Sequence, residues 1–231
     1  MTLEIKKYCG SEQDTKTAQQ QRRVEELLAT NSSCFEYEGR TYEVHQDVFP
    51  PQSAYTTSML LSQVAERAAH SKNALDMGCG TGIVAFVMKS HGAANVWAVD
   101  IHEAAIRNAR VNALKYEEFK NIVFFRSDLF LSVPCDIKFD LIVFNHPYYA
   151  IKGARIMGMG CDGGRPIIAR FLQNVREYCA SPVTILMPFS SIAGSDNDPS
   201  TIAKDLGYAV ETIDVQHNQG MEHFVYQITN E

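Results

Sequence analysis

The sequence predicts an α/β fold in which a parallel sheet is covered by helices on both faces, with a small N-terminal helix and β-hairpin extension ahead of it. Three observations carry that prediction. From Asn73 onwards, short near-continuous apolar runs alternate with helical patterns, as strands buried on both faces do. The polar residues Asp76, Asp100, Asp128 and Asn145 fall at the ends of successive runs, which is the edge of a parallel sheet where ligands bind. Upstream, Phe35/Tyr37 and Tyr42/Val44 alternate with polar residues around Glu38-Gly39, a two-strand hairpin signal. The predicted division is an extension over residues 1–50 and a main domain over residues 51–231.

Each element follows from its local pattern. Val24, Leu27 and Leu28 stand at helical spacing within a polar stretch from Asp14 to Thr30. The hairpin stops at Asp47-Val48-Phe49-Pro50-Pro51, since two prolines cannot continue a ladder. Residues 54–70 read as a helix with Met59, Leu60, Val64 and Ala68 on one side. Ala74–Met77, Val96–Val99, Ile122–Phe125 and Phe139–Phe144 read as strands. Helices over 83–90 and 103–115 lie between the first three, the second presenting Ala104, Ile106, Ala109 and Leu114. A helix over 166–178 opens with proline in its first turn, where a missing N–H is harmless. Strands at 183–189, 208–215 and 224–229 complete the pattern, with a helix over 199–206 closed by Gly207.

The composition narrows the function classes. The 231 residues, 25.8 kDa, suit one large domain or one domain with a small appendage. At 45% hydrophobic and 21% charged residues, the chain is not a disordered one. No run approaches the ~18 apolar residues of a membrane span. The first residues lack the apolar core of a signal peptide, so a cytoplasmic location is expected. A net charge of −6 and a pI near 5.7 argue against extensive nucleic-acid coating. Cys9, Cys34, Cys79, Cys135, Cys161 and Cys179 show neither CxxC pairs nor zinc spacing with histidine. They read as free thiols, and no metal site is expected.

The chemistry concentrates in Leu75-Asp76-Met77-Gly78-Cys79-Gly80-Thr81-Gly82. Alternate glycines let the backbone turn sharply after a strand and approach a ligand closely. The dinucleotide fingerprint would need glycine where Ile83 stands, and no P-loop lysine follows. Asp100 ends the next strand, where a carboxylate can accept from a ribose diol or cap the following helix. Asp128, in Ser127-Asp128-Leu129-Phe130, can accept from an adenine amino group beside apolar walls, or serve as a turn residue.

Taken in order, LDMGCGTG, AVDIHEAAIRNARVNA, SDLF and FDLIVFNHPYY resemble the class I S-adenosylmethionine-dependent methyltransferases. The resemblance covers roughly residues 73–231. It implies a Rossmann-like seven-stranded sheet whose last strand is antiparallel and inserted beside the fifth. It implies S-adenosyl-L-methionine as cofactor, with Asp76, Gly78 and Gly80 along its methionine part. Asp100 would bind its ribose, and Asp128 with Leu129 would meet its adenine. Cys79, Gly82, Ile101 and Asn145 join them as candidate cofactor-binding residues.

Asn145-His146-Pro147-Tyr148-Tyr149 looks like the (Asn/Asp/Ser)-Pro-Pro-(Tyr/Phe) loop of methyltransferases acting on planar nitrogen. That likeness implies that the Asn145 side-chain oxygen and the His146 carbonyl accept from a target –NH₂, with an aromatic ring packed on the planar group. Two fixed acceptors orient the nitrogen lone pair and stabilise developing charge. Asn145, His146, Pro147 and Tyr148 are therefore the candidate catalytic set. His146 replaces the first proline of the pattern. Its imidazole is either a base titrating near neutrality or an outward-pointing group that only relaxes the loop.

Val48-Phe49-Pro50-Pro51 with Thr56-Thr57 and Leu60-Leu61, and Cys161-Asp162-Gly163-Gly164-Arg165 before IIARFL, are similar to segments of the release-factor glutamine methyltransferases. In place of the long helical N-terminal domain of bacterial members, a short segment with a hairpin is expected ahead of the main domain. The expected acceptor is a protein glutamine, a nucleobase or a small amine, the last suiting an aromatic box of Phe49, Tyr55, Tyr148 and Tyr149. One rival function is O- or C-methylation of a metabolite with His146 as base. The other is a non-catalytic nucleoside-binding regulator.

Overall fold

A computed structural model describes residues 33–147 and 163–230. The expected helix within 14–30 and residues Cys9, Tyr148, Tyr149, Cys161 and Asp162 lie outside the described residues. Two antiparallel strands, β1 (Cys34–Tyr37) and β2 (Arg40–Glu43), form the hairpin, with Glu38 and Gly39 at positive φ in its turn. The main sheet contains β3 (Asn73–Met77), β4 (Asn95–Asp100), β5 (Val123–Arg126), β6 (Phe139–Phe144), β7 (Cys179–Ser190), β8 (Ala209–Asn218) and β9 (Met221–Thr229). Its order is β5-β4-β3-β6-β7-β9-β8. The β3, β4, β5, β6 and β7 pairings are parallel, and β9 runs antiparallel between β7 and β8.

The helices are α1 (Tyr55–Ala68), α2 (Ile83–Ser90), α3 (Glu103–Leu114), α4 (Arg165–Asn174) and α5 (Pro199–Asp205). Two core clusters show which helix covers which face. Leu141, Val143, Leu186 and Val225 of the sheet pack with Leu60 and Val64 of α1, Phe86 of α2 and Ile106 and Ala109 of α3. Ile142, Phe144, Ile185 and Met187, pointing the other way, pack with Ile168 and Phe171 of α4 and Ile202 of α5. The parallel strands are apolar on both sides because both sides are covered.

Two boundaries differ from the sequence pattern by four residues, the largest such differences. The helix expected over 166–178 is α-helical only to Asn174 and tightens to a 3₁₀ turn over Val175–Tyr178. The strand expected over 183–189 begins earlier, at Cys179. A third difference is on α3, where Leu114, expected on the buried side, is 73% exposed. Asn108 and Asn112 are buried instead, four residues apart on one helix face. Asn112 Oδ1 accepts from the Glu43 N–H (2.7 Å) and Asn108 Oδ1 from the His45 N–H (2.8 Å). Both amide nitrogens donate to the Glu43 carbonyl (2.9 Å each). One turn on, the Tyr116 hydroxyl accepts from Thr41 N–H (2.8 Å) and donates to Thr41 C=O (3.0 Å). A helix face thus satisfies the open edge of β2, and Tyr42 stacks on Phe86 at 5.3 Å behind it.

The sheet order reverses at β3, whose neighbours β4 and β6 lead in opposite directions. That switch point opens a crevice outside the carboxyl ends of these strands. Among the described residues no helix is long and apolar enough to cross a membrane.

Candidate active site

The β3–α2 loop lines the crevice on one side. Gly78, Gly80 and Gly82 have φ of +73°, +52° and +90°, which accounts for glycine at alternate positions. The Gly78 and Cys79 N–H groups both donate to the Val99 carbonyl (2.8 and 2.9 Å), drawing the loop across β4. Gly82 has no room for a side chain, as a Cβ there would lie 2.7 Å from the Phe86 ring. Gly80 differs, since a Cβ there would meet nothing within 4 Å. Its backbone faces open space, as a ligand cradle requires. The Cys79 side chain is buried, and burial pushes its thiol up, so it stays protonated and unreactive.

Two acids stand under this loop. Asp76 on β3 is fully buried; its Oδ2 accepts from the Ala85 N–H of α2 (3.1 Å), and its Oδ1 has no partner among the described residues. Burial raises its carboxyl to about 8; the Ala85 hydrogen bond offsets part of this, and the Asp100 charge adds to it. Asp100 at the end of β4 accepts from the Gly80 N–H through Oδ2 (3.0 Å) and from the His102 N–H through Oδ1 (2.9 Å). Burial raises its carboxyl as well, partly offset by these two hydrogen bonds. Asp100 therefore holds the glycine loop to the start of α3. Beside it Ile101 is 45% exposed, an apolar side chain bared at the crevice.

The end of β5 is arranged otherwise. Asp128 forms an ion pair with Arg170 of α4, so its carboxylate already meets a cation. The sequence pattern holds no sign of Arg170, which is 42 residues away and reaches Asp128 only through the packing of α4. Leu129 is buried at φ +49°, with its carbonyl accepting from the buried Ser127 hydroxyl (2.6 Å).

Across the crevice, Asn145 follows β6. Its side-chain nitrogen donates to the Thr57 hydroxyl of α1 (3.3 Å). That contact commits the amide nitrogen and leaves the carbonyl oxygen as an acceptor. Thr57 is itself 2% exposed, and its part in holding Asn145 is not visible in the local sequence. His146 is 2% exposed and packs against the Phe144 ring at 5.7 Å, with Nδ1 3.3 Å from the Phe144 carbonyl. It therefore points inward, contrary to the outward-pointing alternative. Burial lowers its pKa to about 4, which leaves a neutral ring and a weak base. The Pro147 carbonyl accepts from the Gly164 N–H (2.8 Å), and a Cβ at Gly163 would lie 1.9 Å from that carbonyl. The start of α4 is thereby tied to the residues after β6, and only glycine fits at the junction. Tyr148, the last of the candidate catalytic set, is outside the described residues.

The crevice suits a cationic nucleoside. A buried carboxyl with one oxygen unpartnered can meet a positive group by giving up its proton, and the Gly80 backbone leaves room beside it. Comparison with known proteins points the same way. The model of the methyltransferase small domain matches residues 39–158. A Methanocaldococcus jannaschii protein named as a protein N5-glutamine methyltransferase is 32% identical over 183 residues, 76% of this chain and 88% of that protein. The release factor glutamine methyltransferase of Leptospira interrogans is 35% identical over 112 residues, 48% of this chain and 39% of that enzyme. Among solved structures, a T. thermophilus 16S rRNA N2 G1207 methyltransferase in complex with AdoMet and guanosine superposes with a TM-score of 0.64 at 17% identity, covering 86% of this chain and 50% of that one. The E. cuniculi Mtq2–Trm112 complex, responsible for methylation of the eRF1 termination factor, gives 0.58 at 20% identity, covering 80% and 99%. At such identities the structural likeness speaks for the fold.

Proposed function

Since the chain belongs to the methyltransferase small domain family and is an S-adenosylmethionine-dependent methyltransferase, we propose that it methylates the side-chain amide nitrogen of a glutamine in a protein. The observation that carries this reading is the orientation of Asn145. With its nitrogen bound to Thr57, its oxygen is the group that can accept from a target –NH₂. The relatives named as glutamine methyltransferases support the same acceptor.

S-adenosylmethionine, when bound, supplies an electrophilic methyl on a sulfonium. The residues of the chain bind and position. Asp76 offers its unpartnered oxygen to a positive group, Gly80 leaves space beside the loop, and Asp100 accepts from hydroxyls while holding the loop. Asn145 Oδ1 and the His146 carbonyl fix the two N–H bonds of the acceptor, which turns its lone pair towards the methyl. Positioning of this kind can supply much of the barrier lowering. The ring of His146 takes no proton in this scheme, because its low basicity and burial fit a packing role. That speaks against the O- or C-methylating rival.

The test is incubation of the protein with a purified release factor and labelled S-adenosylmethionine, followed by peptide mass mapping. One methyl on a glutamine side chain is expected. A release factor left unmethylated, with label entering nucleic acid or a small amine in parallel incubations, would replace the reading.

A further inference from the structure

A polar row runs from Asn145 across the α1 side of the sheet, and its members beyond Asn145 are unused by the scheme above. Side chains alternate faces along a strand. Val143 of β6, Leu186 of β7 and Val225 of β9 all pack in the core cluster that contains α1. By that alternation Asn145, Ser190 and His223 share the same face, and Ser190 stands directly opposite His223 in the β7–β9 register. The strand order β6-β7-β9 places Ser190 between the other two. The first turn of α1 marks both ends of the row. Thr57 binds Asn145, and the Tyr55 ring lies 5.1 Å from the ring of His223. Ser190 is 2% exposed, and its hydroxyl has no hydrogen-bond partner among the described residues.

A buried hydroxyl without a partner costs roughly 1–3 kcal/mol, so its place beside the acceptor side of the crevice calls for a group that meets it. Parallel pairing sets Val143 level with Leu186, which puts Asn145 level with Pro188 and Ser190 two residues further on. One strand spacing across and two residues along separate the Asn145 and Ser190 Cα atoms by about 8 Å. The two residues are therefore near enough for one small planar group to reach both. We propose that Ser190 is an acceptor-binding residue that donates a hydrogen bond to the carbonyl oxygen of the target amide, while Asn145 accepts from its nitrogen. The pair of polar groups then reads both ends of an amide, and the Tyr55–His223 ring pair closes the outer side. A site with a donor placed for the carbonyl discriminates against an amine, which has no oxygen to meet it.

This inference rests on the reading that the acceptor is a protein glutamine. The test compares the parent with Ser190→Ala on a purified release factor, with three readouts: kcat/KM, S-adenosylmethionine affinity by calorimetry, and thermal stability. Ser190→Ala removes only the hydroxyl and should leave the fold and cofactor affinity unchanged. A fall in kcat/KM of at least about ten-fold is expected, the size of one lost buried hydrogen bond. Unchanged kcat/KM, whatever the melting temperature, would remove Ser190 from acceptor binding and overturn the inference alone. Methylation of the parent's substrate at a site other than a glutamine amide would remove the glutamine reading and this inference with it.

Discussion

On the β3–β4 side of the crevice each acid stands near the carboxyl end of its own strand and binds the backbone of the segment that follows β3 or β4. On the β6–β7–β9 side the polar groups meet through the pairing of strands distant in sequence and through α1, which lies across them. Asp100 reaches Gly80 across 20 residues within one β-α-β unit, whereas Asn145 reaches Thr57 across 88. The first side is therefore assembled by strand and turn geometry, which repeats in any parallel sheet. The second is assembled by tertiary packing, and it can change its chemistry without disturbing the first. The division suits an enzyme that uses a constant methyl donor and a variable acceptor.

The largest effect that would test this division is at Asn145. Asn145→Ala should lower turnover by about 10²–10³, the scale of one positioned polar group lost at the reacting centre. Cofactor affinity should hold within a few-fold, because the variant leaves the β3–β4 side intact. Single-turnover kinetics with calorimetry on the same samples checks both. A parallel collapse of cofactor affinity would mean that the two sides are one unit.

Next in size are the glycines, which separate two roles within a single loop. Gly82→Val places a Cβ against the Phe86 ring at φ +90° and should cost about 2–4 kcal/mol of stability. Gly80→Ala meets no atom and should cost about 1 kcal/mol, the residual strain of a positive φ. Its larger effect should be on S-adenosylmethionine binding, since the new methyl enters the open cradle. Urea titrations of both variants, set beside binding isotherms for Gly80→Ala, measure the contrast. Equal stability losses would show that the loop is packed uniformly.

Those two glycines show how far the sequence could be read. The alternation of apolar runs with helices located all seven main strands, and the position of polar residues at strand ends singled out Asp76, Asp100 and Asn145. Both signals are local, because a strand's period and its terminus are properties of a few neighbouring residues. Burial of a side chain that could point either way is not local. His146 follows a strand whose next layer, Phe144 and α4, is fixed by residues far downstream. The same holds for Arg170 on Asp128 and for Ser190 opposite His223. Asn108, Asn112 and Tyr116 are an intermediate case. Their i, i+4, i+8 spacing is visible, but without the hairpin edge they look like a solvated helix face.

Asp76 provides a pH test of the donor side. Its folded pKa of about 8 lies above the ~3.9 of an unfolded aspartate. Between these values the unfolded chain has lost a proton that the folded one keeps. Stability from this group is complete below the unfolded value, falls as pH rises, and is gone above the folded value. Relative to Asp76→Asn, the parent should lose on the order of 1 kcal/mol per pH unit between about pH 5 and 7. A cation beside Oδ1 favours the ionised form, so binding of S-adenosylmethionine near neutral pH should release a proton. Calorimetry in two buffers of different ionisation enthalpy detects that release. Parallel stability curves for parent and variant would mean that the carboxylate is already ionised inside the fold.

The smallest effect is expected at His146, and it bears most directly on which atom accepts the methyl. If only the backbone carbonyl of this residue is used, His146→Phe keeps that carbonyl and fills the same apolar space against Phe144. Turnover should then stay within a few-fold of the parent. A working base would need its ring neutral and basic at the operating pH, which near neutrality means a pKa close to 6–7. Burial instead holds the ring near 4, so a pH–rate profile of the parent should show no step between about pH 6 and 7. The profile is taken for parent and His146→Phe on one acceptor protein. A step near 6.5 in the parent that vanishes in His146→Phe, together with a dead variant, would return the imidazole to the reaction. The acceptor side would then be built for oxygen or carbon rather than for an amide.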